Sequence, residues 1–321
     1  MIEITVASGK GGVGKSTVSA SILLYLKERG WDVIGVDADA DAPNLHLILS
    51  VKKWGDIKSF SDTKVATIIN EKCVRCDECR KVCPHGAIYI FNGDYKVNQV
   101  YCEGCVTCKL ACPVPGAIVY NRTETGVIRM ARTSYGFHLI SARLRPGRPN
   151  SGKIVTEEKE NARNLAESNS VIIVDSAAGI GCQVISSLAG ANMVILVTEP
   201  TPAGFNDLKR VHKLTRHFMQ PAALIINKYD TNLDLTNKIV EYTRKWNIDL
   251  IGMIPYDDSI PYSMAKLKPV TVEYPSSKAS KALHKIGENV ENILMNWGEW
   301  MIKYRPKKPE PYKPILIKPR T

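Results

Sequence analysis

The sequence predicts an α/β protein built on a mostly parallel sheet, with a smaller α+β unit inserted into it. Three observations carry this. A glycine loop at 9–14 sits between an apolar strand at 2–7 and a helix from 15 to about 29, the order of a βα unit. Short apolar strands recur at 33–36, 171–175, 192–198, 222–228 and 249–254, with helical patterns at 156–168, 234–246 and 277–302, the alternation that produces parallel strands. Between the second strand and the helix at 156–168 this alternation lapses, and eight of the nine cysteines fall in the gap. The expected boundaries are 1–60 and 129–302 for the two parts of the main domain, 61–128 for the insertion and 303–321 for a tail.

At 321 residues, 44% hydrophobic and 23% charged, the chain has ample material for a core and lies outside the disordered class. The formal charge of +11 is concentrated at the end, where residues 303–321 carry seven Lys or Arg against one acid. Prolines make this tail extended in tendency, and they make 145–149 a loop. No finger, aromatic RNA-binding motif or long basic helix points to nucleic acid. No apolar run approaches the roughly 20 residues that cross a bilayer, and no secretion signal is visible. The stripe Leu283, Ile286, Val290, Ile293, Leu294, Trp297 and Met301 reads as core, with an interfacial membrane helix as the alternative.

The loop Gly9-Lys10-Gly11-Gly12-Val13-Gly14-Lys15-Ser16-Thr17 satisfies the GxxxxGK[ST] pattern between strand and helix, the context that motif requires. Its backbone N–H groups curl toward phosphate, Lys15 meets the β- and γ-phosphates, and Ser16 ligates Mg²⁺. ATP or ADP with Mg²⁺ are therefore the expected ligands. Two acids stand at strand ends, where ligands of open α/β sheets bind: Asp39, in the run Asp37-Ala38-Asp39-Ala40-Asp41, and Asp175 after Val171-Ile172-Ile173-Val174. Asp175 suits a Mg²⁺-bound water, and Gly179 permits a backbone switch beyond it.

With Lys10 so early in the loop, and Pro43-Asn44-Leu45 after the first acids, the chain resembles the superfamily of cell-division-site ATPases, partition ATPases, Mrp-type carriers and the nitrogenase iron protein. The resemblance implies a P-loop NTPase with a deviant Walker A loop. It also implies a nucleotide-dependent homodimer, or a dimer with a close paralogue, in which Lys10 reaches the partner's ATP. In that frame Lys10, Lys15 and Asp39 are the catalytic residues, Asp39 orienting the attacking water and joining Ser16 and Asp175 around magnesium. By the same resemblance, Asn227 and Pro255 meet the base.

Cys73, Cys76, Cys79 and Cys83-Pro84 form C-x₂-C-x₂-C-x₃-C-P, and Cys102, Cys105, Cys108 and Cys112-Pro113 repeat it. Thiolates are soft ligands suited to iron; structural zinc is the rival, although zinc sites pair their ligands across a longer loop. The repeat resembles bacterial-type two-cluster ferredoxins. That resemblance assigns Cys73, Cys76, Cys79 and Cys112 to one [4Fe-4S] cluster and Cys83, Cys102, Cys105 and Cys108 to a second. His85 reads as a surface or packing residue. Eight ligating thiols fit a reducing compartment, so a cytoplasmic location is expected.

The nesting of both motifs resembles the group of MinD-superfamily ATPases with an inserted ferredoxin domain. It implies ATP hydrolysis coupled to electron transfer, with a redox carrier as partner. The alternatives are an ATPase for iron–sulfur or other metallocofactor assembly, served by a cofactor-maturation protein, and a positioning or signalling ATPase with structural clusters. The ninth cysteine, Cys182, reads as a small buried residue packing the helix after Gly181, the alternatives being a thiol that contacts a redox partner or bound cofactor when the dimer closes and a ligand of a third, subunit-bridging cluster.

Overall fold

The computed structural model describes residues 1–145 and 151–306, so the proline loop at 145–149 and the tail lie almost wholly outside the described residues. The strands are β1 Ile2–Ser8, β2 Val33–Ala38, β3 Asp56–Phe60, β4 Thr63–Ile68, β5 Ile88–Phe91, β6 Asp94–Val97, β7 Ile118–Thr123, β8 Gly126–Arg132, β9 His138–Leu144, β10 Val171–Ala178, β11 Met193–Thr198, β12 Ala222–Asn227 and β13 Asp249–Ile254. Nine of them form one sheet in the order β13-β12-β11-β1-β10-β2-β9-β8-β3. From β13 to β9 every pairing is parallel, whereas at one edge β8 runs antiparallel to both of its neighbours, β9 and β3. The strand residues of β1, β2 and β10 to β12 are buried almost without exception, as befits a sheet covered on both faces.

The helices Lys15–Glu28 and Lys278–Met295 cover one face, packing Ile22, Leu23, Leu283, Ile286 and Val290 on Ile4, Ile173 and Ile195. Ser151–Leu165, Cys182–Leu188, Pro202–His217 and Leu233–Trp246 cover the other. The apolar stripe from Leu283 to Leu294 is therefore core. The long helix expected at 277–302 is broken at Asn296, and Trp297–Tyr304 forms a separate helix. Among the described residues no helix is long and apolar enough to cross a membrane.

The unit that pairs apart from the main sheet runs from Thr63 to Thr123, with β4 on β7 and β5 on β6, around a small core in which Ile68, Ile88 and Ile118 touch the cysteines. Its end falls before the expected boundary at 128, because Gly126 to Arg132 pairs with β9 and β3 in the main sheet. Strands β3, β8 and β9 are absent from the sequence reading: their runs mix polar with apolar residues and lack the continuous apolar run that marks the other strands of the sheet.

Candidate functional site

The phosphate loop follows from the ends of β1 and the helix Lys15–Glu28. Gly14 caps that helix at φ +95°, a left-handed conformation that only glycine adopts without strain. A Cβ on Gly14 would stand 2.5 Å from the Asn227 amide nitrogen, and one on Gly9 would stand 2.4 Å from the Asp207 carbonyl oxygen. The loop is thus wedged between the end of β12 and the helix Pro202–His217. Asn227 fastens it: its Nδ2 donates to the Val13 carbonyl at 2.9 Å, and its Oδ1 accepts from the Lys228 N–H at 2.9 Å.

A cavity of about 520 Å³ opens over this loop. Gly11, Gly12, Gly14, Lys15, Ser16 and Thr17 line its phosphate end, together with Asp39 from beyond β2. Asn227 and Pro255 line it farther along, where Ile48, Ile260 and Met264 add an apolar wall. Three expected ligand-binding residues stand outside it. Gly9 packs against Asp207, Val13 is buried in the core, and Lys10 turns away to Glu199, 3.0 Å from its carboxylate.

Asp175 is 2% exposed and accepts a hydrogen bond from Ser19 Oγ at 3.0 Å. Burial pushes its carboxyl up to about 6, against the pull of Lys15, Ser16 and Ser19, which favour the ionised form. Ser16 and Asp175 are therefore brought together. Asp37 is buried deeper and raised well above the carboxylate range by burial and by Asp175; its Oδ2 accepts from the Leu45 N–H at 2.9 Å. Asp39 is half-buried, with Oδ1 accepting from the Ala42 N–H at 3.1 Å.

Two residues missed by the sequence reading organise this region. Gln183 bridges the two acid-bearing segments, accepting from the Ala40 N–H at 3.0 Å and donating to Asp41 at 2.6 Å. Glu199 is shared by Lys10 at 3.0 Å and Lys228 at 3.3 Å; burial raises its carboxyl, but the two lysines prevail and hold it below the usual range. Neither residue belongs to a local motif. Cys182, expected to be buried, is exposed: the helix Cys182–Leu188 turns Gln183, Val184, Ser187 and Leu188 inward, and residue 182 falls on the opposite side.

In the 63–123 unit the eight cysteines divide between two hollows. Cys73, Cys76, Cys79 and Cys112 line one, closed by Ile68, Tyr95 and Ile118. Cys83, Cys102, Cys105 and Cys108 line the other, closed by Ala66, Ile88 and Tyr120, with the exposed His85 at its border. The backbone repeats itself between the halves. Arg75 and Asp77 flank Cys76 at φ +56° and +68°, while Gly104 and Val106 flank Cys105 at φ +69° and +68°. For β-branched Val106 this is a costly conformation, on the order of 1–3 kcal/mol. Backbone N–H groups approach sulfur from Ala87 to Cys83 at 3.3 Å and from Ala66 to Cys102 at 3.5 Å, and the Tyr120 hydroxyl lies 3.2 Å from Cys108 Sγ. Burial, reinforced by Cys73 and Cys108, pushes the Cys79 thiol up to about 11. Among the described residues no three His, Cys, Asp or Glu side chains converge tightly enough to hold a single metal ion.

Residues 4–270 match the family described as the CobQ/CobB/MinD/ParA nucleotide binding domain. The chain belongs to this family. An uncharacterized protein of Methanocaldococcus jannaschii is 30% identical over 297 residues, which cover 92% of this chain and 98% of that protein. The septum site-determining protein MinD of Pyrococcus horikoshii, solved with Mg-ADP, shares the fold at a TM-score of 0.58 and 20% identity, over 91% of this chain and 96% of that one. Pyruvate synthase subunit PorD of M. jannaschii is 50% identical over 56 residues, 17% of this chain and 64% of that subunit. As a CobQ/CobB/MinD/ParA family member the chain is a P-loop ATPase of the MinD/ParA type on an α/β, mostly parallel sheet.

Proposed function

We propose that this ATPase couples nucleotide-driven dimer closure to electron transfer through two [4Fe-4S] clusters held by the 63–123 unit. The observation that carries the reading is the partition of eight cysteines into two hollows, each lined by three cysteines of one run and the fourth of the other. That crossed pattern is the one two-cluster ferredoxins use. The donor set fits: four thiols, apolar walls and backbone N–H groups turned toward sulfur suit a buried iron–sulfur body, and a four-iron cluster spreads its thiolates more widely than a single ion does. The 56-residue likeness to pyruvate synthase subunit PorD is comparable in length with this unit. When bound, the clusters supply one-electron chemistry.

The rest of the reading concerns this chain's own side chains. Lys15 and the loop N–H groups bind the β- and γ-phosphates. Ser16 and Asp175 would hold Mg²⁺, directly or through water, and Asp39 would orient the attacking water. In this reading ATP and water become ADP and phosphate, and the unit, with its cysteines holding the clusters, would take single electrons from a reduced carrier and supply them to an oxidised acceptor. Lys10 leaves Glu199 when a second subunit docks and meets the partner's phosphates; its 45% exposure leaves it free to move. Pro255 and the remaining capacity of Asn227 meet the base.

Anaerobic purification followed by iron, sulfide and EPR analysis tests the cluster assignment. Two four-iron clusters per chain are expected, with Cys76→Ser and Cys105→Ser each removing primarily one. Zinc in place of iron, or a single cluster, overturns it. Transfer of the iron to an apo-acceptor would favour the assembly function instead.

A further inference from the structure

One row of polar and charged side chains crosses four strands of the main sheet. Asp175 in β10 pairs with Asp37 in β2, Asp37 with Ser141 in β9, and Ser141 with Arg129 in β8. Register partners share a face, so these four side chains stand side by side on the face of the sheet that carries the helix Lys15–Glu28. The row starts at the nucleotide cavity, through Asp175 and its Ser16 and Ser19 contacts, and ends in the strands that carry the inserted unit. Only two residues separate β3 from β4 and two separate β7 from β8, and β3 pairs with β8 along its length. A displacement of the unit therefore reaches β8 with little slack.

Arg129 is built for this position. Its Nη2 donates to Ser141 Oγ at 3.3 Å, and its guanidinium lies 4.3 Å above the Trp54 ring. Its Nε is buried without a hydrogen bond, as is Asp37 Oδ1, so the cation and the acid retain unmet bonding capacity across a fully buried serine. Unpaired buried polar groups are costly, and a row that leaves two of them is poised between arrangements. Nothing in phosphate chemistry requires an arginine at this place.

We propose that Arg129 is a positioning residue that links the nucleotide site to the 63–123 unit through Ser141 and Asp37. Nucleotide at the phosphate loop changes the charge met by Asp175 and Asp37, the row rearranges, and the β3–β8 pair transmits the change to the cysteine-bearing unit. Linkage makes the effect reciprocal: a change of state in the unit alters nucleotide affinity by the same factor. The proposal rests on the nucleotide site described above but not on any redox partner.

Hydrogen–deuterium exchange on the anaerobic, cluster-loaded protein tests it, with no nucleotide, with Mg-ADP and with Mg and a non-hydrolysable ATP analogue. In the parent, nucleotide is expected to change exchange at amides 63–123 as well as at the phosphate loop. In Arg129→Met the phosphate loop remains protected and the iron content is unchanged, but the response at 63–123 falls several-fold. Ser141→Ala, which removes only the bridging hydroxyl, gives a partial loss, and Arg129→Lys retains part of the response. If Arg129→Met fails to fold, Ser141→Ala and Arg129→Lys decide the matter. An unchanged response in the variants, or a parent whose unit ignores nucleotide, overturns the proposal. Failure to find an electron acceptor would overturn the redox reading and leave this one intact.

Discussion

Asn227→Ala separates two roles that one side chain combines. The amide donates to the Val13 carbonyl at 2.9 Å and accepts from the Lys228 N–H at 2.9 Å, and the residue is 5% exposed. Truncation removes two hydrogen bonds at about 1 kcal/mol each and leaves a buried carbonyl without its partner, so a stability loss of about 2–3 kcal/mol is expected. Urea unfolding followed by circular dichroism reads this directly. Because the lost bonds support the loop whichever base is bound, affinity for ADP and GDP should both fall in nucleotide titrations, and because the remaining capacity of the amide meets the base, ADP should lose more. A stability change below about 0.5 kcal/mol, with a loss confined to adenine nucleotides, would refute the loop-supporting role.

Lys10→Ala should leave stability within about 1 kcal/mol of the parent, since its pair with Glu199 is partly exposed, yet abolish ATP-driven dimerisation and turnover. Unchanged hydrolysis in a verified dimer would rule out its action across the interface. Asp39→Asn should keep nucleotide-dependent closure and slow phosphate release by about a hundredfold or more, the usual reach of a lost general base; hydrolysis at the parental rate would remove it from the chemistry. Glu158 is fully buried and raised well above 4.5 by burial and by Asp37, so the folded state holds its proton more tightly than the unfolded chain. Its contribution is complete below the unfolded value and is lost as pH rises through the raised folded one, so Glu158→Gln should flatten the decline in urea midpoint as pH rises above about 4.5; an unchanged slope would show the group ionised in the fold.

The sequence discloses what is local. The phosphate loop, Asp39, Asp175 and both cysteine runs are legible because their chemistry needs particular residues a few positions apart; in the structure Asp39 and most of the phosphate loop line one cavity, and Asp175 stands against Ser16. What escapes is set by tertiary register. Gln183, Glu199 and Arg129 have no motif; each matters because a strand or helix from elsewhere brings it to its partner, Asp41 for Gln183, Lys10 for Glu199 and Ser141 for Arg129. Lys10 and Asn227 were legible as members of the site but not in the contacts they make, since a hydrogen bond to Val13 joins residues more than two hundred positions apart. Cys182 shows the limit of reading burial from residue type: helical phase, fixed by Val184 and Leu188, turns it outward.

The coupling itself is tested most directly by reducing the cluster-loaded protein anaerobically, mixing it with a one-electron acceptor, and following cluster oxidation with Mg-ATP or Mg-ADP present. Oxidation that is markedly faster with Mg-ATP, and that loses this advantage in Lys10→Ala while both clusters remain, is the predicted result. Equal rates with the two nucleotides, in a protein that binds both and holds both clusters, would contradict ATP-coupled electron transfer.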